Sequence, residues 1–366
     1  MPVPFLDLKA QYRSIKSEID PAIQAVIDSC AFALGPAVEK FERDFAAYCG
    51  TKYCIGVSDG TAALELAMRA YDIGAGEEVI TVANSFFASA EAISLAGATP
   101  ILVDCNEDDA LIDVTKIEVA ITKKTKAIIP VHLYGQCADM DAINAIAAQH
   151  NLIVIEDACQ AHGSGYKGKR AGSIGHCGAF SFYPGKNLGA YGEGGGVTTN
   201  DESVALKIRM LRDHGMREKY KHSVIGKNDR LDGIQGAVLG TKLPHLEAWN
   251  TKRRAHADLY RKLLGNHPKI KLFKTHADRV HNYHLFAIRV PNRDAVQQQL
   301  KDKGIATGIH YPIPIHLQEA YAGKWQKGDF PVAERMADEL LSLPMFAEMN
   351  TEMVEEVIKY LTYIVK

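Results

Sequence analysis

Two strand-like runs end in side chains that can do chemistry together. Leu152–Ile155 runs into Glu156-Asp157-Ala158-Cys159-Gln160-Ala161-His162, and Gly178–Phe182 runs into Tyr183-Pro184-Gly185-Lys186-Asn187-Leu188-Gly189. An acid and a lysine at neighbouring strand ends suit one kind of cofactor. A carboxylate pairs with a pyridinium nitrogen and keeps it protonated, so that the ring withdraws electrons from the reacting carbon. An amine captures the cofactor's aldehyde and afterwards moves the proton. These are the demands of pyridoxal 5′-phosphate (PLP), met by Asp157 and Lys186. Taken singly, Asp157 reads as a helix cap and Lys186 as a surface lysine; the pair draws its weight from the groups around it.

A phosphate needs a cradle. Ser58-Asp59-Gly60-Thr61-Ala62-Ala63 follows the strand Tyr53–Val57 and opens a helix, where backbone N–H groups and the Thr61 hydroxyl can hold a dianion. The same residues also make an ordinary N-cap. Ser181 is a second phosphate candidate, with an inward-facing strand serine as the alternative. Phe86, just past Glu78–Val82, can cover the cofactor ring; its neighbour Phe87 is the rival, and core packing accounts for either. Gln160 can donate to the phenolic oxygen.

Between residues 53 and 200 short apolar runs alternate with helical patterns. The strands expected are Tyr53–Val57, Glu78–Val82, Thr99–Val103, Ala127–Leu133, Leu152–Ile155, Gly178–Phe182 and Gly196–Thr199. The helices expected are Thr61–Tyr71, Phe87–Ala96 and Asp139–His150. This alternation implies an α/β fold with a mostly parallel sheet covered by helices, whose ligands collect at the carboxyl ends of the strands. A long helical pattern runs from Leu231 toward Leu264 with a bend at Pro244. Strand-like His284–Val290, a helix over Arg293–Lys303, a Pro-rich stretch and two final helices follow. Residues 1–249 are therefore expected to form the large cofactor domain, and residues 250–366 a smaller C-terminal α+β domain.

Bulk properties remove whole classes of function. Lys+Arg number 42 and Asp+Glu 44, which leaves no electrostatic footprint for nucleic acid. The densest basic run, Lys252-Arg253-Arg254, reads as the solvated face of a helix. Seven scattered cysteines without a CxxC pair fit reduced thiols, and the 14 histidines show no metal-ligand spacing, so no metal is expected. No membrane-length apolar run and no signal peptide are evident, which points to a cytoplasmic protein. A nicotinamide oxidoreductase is disfavoured because Gly192-Glu193-Gly194-Gly195-Gly196 enters a strand instead of opening a helix.

The segments GPAVEKFERDFAAYCGTKYCIGVSDGTAALELAMRA, IEDACQAHGS, SFYPGKNLGAYGEGGGVTTN, MLRDHGM, GKNDRLDGIQGAVL and ATGIHYPIPIH lie in order along nearly the whole chain. Together they resemble the DegT/StrS-type sugar-nucleotide aminotransferases. The resemblance implies the aspartate aminotransferase fold (fold type I) and a homodimer whose active sites are shared between subunits. It implies Lys186 as the Schiff-base lysine, Asp157 on the ring nitrogen and Gln160 near the ring oxygen. It also implies Gly60, Thr61 and Ser181 on the phosphate, Phe86 on the ring face, and Asn228 reaching a phosphate across the dimer. Relatives with histidine at the lysine position are dehydratases; Lys186 favours transamination, with glutamate as donor.

For the sugar half of the site the candidates are Tyr183, His310, Tyr311 and His316, with Lys219 and Tyr220 from the loop after MLRDHGM. Each has a structural alternative, either an ordered turn or a surface charge. Tyr-Pro-Gly before the lysine resembles the branch that aminates C3 of dTDP-linked 3-keto-6-deoxyhexoses, giving a dTDP-3-amino-3,6-dideoxyhexose. Amination at C4 of a 4-keto sugar nucleotide, and a non-catalytic PLP-binding regulatory protein, are the alternatives.

Overall fold

The computed structural model describes residues 2–366. Consecutive apolar positions make strands buried on both faces, and seven such strands form one sheet. These are β1 (Tyr53–Val57), β2 (Glu78–Val82), β3 (Thr99–Val103), β4 (Thr125–Ile129) and β5 (Ile153–Asp157). A side hairpin of β6 (Gly165–Tyr166) and β7 (Lys169–Arg170) precedes β8 (Cys177–Ser181) and β9 (Gly195–Thr199). The spatial order is β1-β9-β8-β5-β4-β2-β3. Only β9 runs against its neighbours, β1 and β8; every other pairing is parallel. The carboxyl ends of β1, β2, β5 and β8 therefore open on one edge of the sheet, and Asp157 lies opposite Ala179 in the register.

Helices cover both faces. α1 (Leu8–Ser29) and α2 (Pro36–Cys49) precede the sheet; α3 (Gly60–Ala70), α4 (Ala88–Leu95), α5 (Met140–His150) and α6 (Glu202–Leu211) follow its strands. α3 is apolar almost all round, with Ala63, Leu64, Leu66, Ala67 and Met68 buried, as befits a helix enclosed by sheet and neighbours. Phe41, Phe45, Phe180 and Phe182 pack edge to face in one core layer. Ile55, Leu66, Val79, Ile129 and Val197 fill the other.

After α6 comes a small exposed hairpin, β10 (Met216–Glu218) with β11 (Lys221–His222). The helical pattern from Leu231 becomes α7 (Gly233–Lys242), a 3-10 turn over Leu243–His245 that contains Pro244, and α8 (Leu246–Leu264). Proline has no N–H to donate into a continuous helix, so the break falls there. Beyond α8, β12 (Lys271–Leu272) is followed by β13 (Arg279–Val280), which pairs with β6. A separate antiparallel sheet of β12, β14 (Phe286–Arg289) and β15 (Leu340–Leu343) packs with α8, α9 (Arg293–Asp302) and the last helices, α10 (Pro331–Glu339) and α11 (Thr351–Ile364). Its core of Tyr260, Phe286, Ile288, Leu341, Val357 and Leu361 is distinct from those of the large sheet.

Three expectations change. The fourth strand was expected over 127–133, but the regular ladder ends at Ile129 because Pro130 cannot donate; only an isolated bridge, Val131 to Asp157, continues it. Leu340–Leu343 is a strand between the two final helices, its four residues all buried, a pattern that sequence alone does not separate from helix. Arg253 is not on a solvated face. It is 4% exposed and donates to the carbonyls of Tyr283, His284 and Met345, while its neighbour Arg254 bonds Glu247 at the surface.

Candidate active site

The shared strand edge forms the floor of a cavity of about 880 Å³. At its base lies Asp157, the last residue of β5, 5% exposed. Its Oδ2 accepts from the Ser89 hydroxyl at 2.7 Å and its Oδ1 from the Cys159 backbone N–H at 3.2 Å. Both donors are neutral. A buried carboxylate held in this way lacks a counter-charge at bonding distance, and burying a charge without one is costly. A protonated ring nitrogen would supply it.

Lys186 sits across the cavity in the turn that leaves β8, its backbone N–H bonded to the Tyr183 carbonyl at 2.9 Å. Enclosure pushes its amine pKa below the ordinary lysine value, against the opposing pull of Cys159 and Asp157. Burial disfavours the ammonium, so a larger share of the side chain is the free amine that captures an aldehyde and takes a proton.

The third corner is the start of α3. Asp59 caps the helix by accepting from the Ala62 N–H at 2.8 Å. The first amides of a helix have no acceptor within it, so those of Gly60 and Thr61 are left without a helical partner at the cavity, which both residues line. A Cβ on Gly60 would lie 2.6 Å from the Ser181 Cβ and 3.1 Å from the Cys159 sulfur. Only glycine lets the helix start close onto Ser181. The result is a tight pocket of N–H and O–H donors, the chemistry that holds a phosphate.

Phe86 and Phe87 separate by direction. Phe86 is 54% exposed, with its ring 5.4 Å from that of Tyr311 on the cavity wall. Phe87 turns the other way and packs on Tyr321 at 5.5 Å. Gln160 is oriented by its neighbours: its Oε1 accepts from the Tyr134 backbone N–H at 2.6 Å, so its amide nitrogen faces inward and donates to the Tyr311 hydroxyl at 3.1 Å. One amide hydrogen remains for a ring oxygen.

Among the substrate candidates, Tyr183, His310 and Tyr311 line the cavity. Burial, reinforced by the nearby Lys186 charge, pushes the His310 pKa down to about 4 and leaves the ring neutral. The remaining three lie elsewhere. His316 is buried, bonds Glu334 at 2.9 Å and packs against Phe330 at 4.7 Å, so it braces the C-terminal region instead of lining the cavity. Lys219 and Tyr220 form the exposed turn of the β10–β11 hairpin. Asn228 is exposed, joined to Asp213 by an isolated bridge, and does not line this chain's cavity.

Residues outside the sequence reading also line it. Ser89 and Ser85 lie on and before α4, Glu193 lies ahead of β9, and Phe5 and Leu6 come from the N-terminal segment. His284 faces the cavity and is tied by Nδ1 to the Asn187 side chain at 3.2 Å. Asn187 in turn donates to Asn250 at 2.8 Å and to the Asn282 carbonyl at 3.1 Å. Lone serines and asparagines carry no sequence signal of this kind, because the partners that define them lie far along the chain.

A family model described as the DegT/DnrJ/EryC1/StrS aminotransferase family matches residues 13–362. The chain is 49% identical over 357 residues to the dTDP-3-amino-3,6-dideoxy-alpha-D-galactopyranose transaminase of Aneurinibacillus thermoaerophilus, covering 98% of each. It is 48% identical over 362 residues to the pleiotropic regulatory protein of Geobacillus stearothermophilus, covering 98% of this chain and 97% of that one. Among solved structures, DesV of Streptomyces venezuelae in complex with a ketimine intermediate superposes with a TM-score of 0.98 at 46% identity, covering 100% of this chain and 99% of that chain.

Proposed function

The chain belongs to the DegT/DnrJ/EryC1/StrS aminotransferase family, and on that premise we propose that it moves the amino group of glutamate onto C3 of a dTDP-linked 3-keto-6-deoxyhexose. The product would be a dTDP-3-amino-3,6-dideoxyhexose. The observation that carries the reading is the pairing of Asp157, buried among neutral donors, with the enclosed amine of Lys186 across one cavity. The relative from Aneurinibacillus, with its dTDP-3-amino product, supports the substrate.

PLP suits these groups, and when bound it supplies an aldehyde that captures amines and a protonated ring that draws electrons from the reacting carbon. Asp157 would hold the ring nitrogen, Phe86 the ring face, Gln160 the ring oxygen, and Gly60, Thr61 and Ser181 the phosphate. Lys186 Nζ would take the proton from the donor's α-carbon and return it on the other side of the exchange. General acid–base catalysis of this kind is worth about 10²–10⁴-fold. Tyr183, His310 and Tyr311 would meet the sugar. Asn228, Lys219 and Tyr220, exposed on one chain, would complete a partner's site in a homodimer. Residues 250–366 form the small domain of this reading and residues 1–249 the large one.

The test is a panel of dTDP-3-keto and dTDP-4-keto sugars with glutamate, read by product regiochemistry. Amination at C3 is expected; amination at C4 alone would overturn the substrate assignment. Lys186→Ala should lose turnover by at least about a thousandfold, and borohydride should label Lys186 in the wild type. The regulatory name of the Geobacillus relative favours a second reading, a protein that binds PLP without turnover. Glutamate alone decides between them, because a transaminase bleaches its visible absorbance and a mere binder keeps it.

A further inference from the structure

The N-terminal segment is clamped at both ends beside the cavity. Val3 pairs with the strand-like stretch before His310: its N–H donates to the Gly304 carbonyl at 2.9 Å, and the Ala306 N–H donates back to Val3 at 2.9 Å. Four residues later the Asp7 side chain caps α1 by accepting from the Ala10 N–H at 2.9 Å. Residues 4–6 therefore form a short strap held in place, and Phe5 and Leu6 line the cavity.

Their contacts are with residues beside the proposed chemistry. The Phe5 ring stacks on His310 at 5.8 Å with planes 18° apart. Gly308 makes room for this, since a Cβ there would lie 2.7 Å from the His310 ring and 3.2 Å from Phe5. Leu6 approaches Gly185, the residue before Lys186: its Cδ2 is 3.6 Å from where a Gly185 Cβ would stand.

We propose that Phe5 and Leu6 form a specificity wall for the keto-sugar and play no part in recognising the amino donor. Glutamate presents two carboxylates, and the Phe5 and Leu6 side chains offer neither a charge nor a hydrogen-bond donor to them. Among the described residues lining the cavity, Lys186 is the single lysine or arginine. A 6-deoxyhexose instead presents a methyl group and an apolar C–H face, surfaces that aromatic and aliphatic side chains bury favourably. This inference rests on the sugar-nucleotide reading above.

The two half-reactions can be timed separately on the PLP-loaded enzyme, one with glutamate and one with the keto-sugar. For Phe5→Ala the glutamate half-reaction is expected to stay within about twofold of wild type, while kcat/KM for the sugar falls on the order of tenfold. Phe5→Tyr should restore the sugar half-reaction, and Leu6→Ala should repeat the pattern from the other end of the strap. Equal losses in both half-reactions, or an unchanged sugar half-reaction in a folded variant, would overturn the proposal. If wild type aminates a 4-keto sugar instead, the C3 assignment fails and the same split on that sugar decides the strap. If wild type takes no sugar nucleotide, both fail.

Discussion

The Ser89 hydroxyl donates to Oδ2 of Asp157 across 2.7 Å, and Ser85 lies 2.7 Å from Ser89 on its far side. Because Ser89 gives its proton to the carboxylate, it must accept from Ser85, so two hydroxyls from the α4 region line up behind one buried charge. Hydrogen bonds to a charged group contribute about 1.5–3 kcal/mol. Ser89→Ala removes one and leaves Asp157 free to rotate away from the ring nitrogen it is proposed to hold. PLP affinity, measured by spectral titration, should fall by roughly 10- to 100-fold, with the fold retained. Unchanged affinity would show that the Cys159 N–H alone suffices to orient the carboxylate.

That serine also marks how far the sequence could be read. Asp157, Lys186, Gly60 and Phe86 stood out because each follows an apolar strand run, and a parallel sheet brings strand ends together whatever lies between them. Ser89, His284 and Phe5 follow no such rule. They reach the cavity through a helix turn, the bend ahead of β14 and the N-terminal segment, placements that depend on tertiary packing. Arg253 shows the same limit in reverse. Its neighbours are basic, yet packing of α8 beneath the 283–284 segment turns this one side chain inward onto three carbonyls. His316 looked like a cavity residue beside Tyr311, but the 3-10 turn Ile315–Leu317 carries it to Glu334 instead.

The closeness of Gly60 to Ser181 makes a direct test of the phosphate cradle. In Gly60→Ala the new methyl would meet the Ser181 Cβ at 2.6 Å, well inside contact distance, so α3 or β8 must shift. Overpacking of this kind costs about 1–3 kcal/mol. Because the shift opens the N–H pocket, inorganic phosphate and PLP should both bind more weakly. A variant that loses thermal stability but binds PLP as tightly as wild type would remove Gly60 from the cradle.

Lys242 offers a pH signature outside the cavity. It is fully buried on α7, donates to the Gly189 carbonyl at 2.7 Å and holds its ammonium 4.2 Å from the Tyr191 ring. Burial pushes its pKa from 10.5 down to about 7, against the pull of Glu348. Between those two values the unfolded chain binds a proton that the native chain has shed, so stability rises with pH across that window. Below it the fold carries a buried ammonium. Lys242→Met removes the titration, so the wild-type Tm minus the variant Tm should increase between pH 6 and pH 9, by about 2 °C or more. A difference that stays constant with pH would mean that the buried amine keeps its proton throughout.

Asn228 and Lys186 test whether the site is shared. Asn228 is exposed and absent from the cavity of its own chain. If it completes the partner's site in a closed two-fold dimer, each site takes Lys186 from one subunit and Asn228 from the other. Lys186→Ala and Asn228→Ala homodimers should then both be impaired, the first almost completely. Unfolding and refolding them together gives mixed dimers in which one site carries both lesions and the other carries neither. An equal mixture should recover about a quarter of wild-type activity from those intact sites. A mixture no more active than the average of its two parents would show that each site draws both residues from one subunit and is not shared.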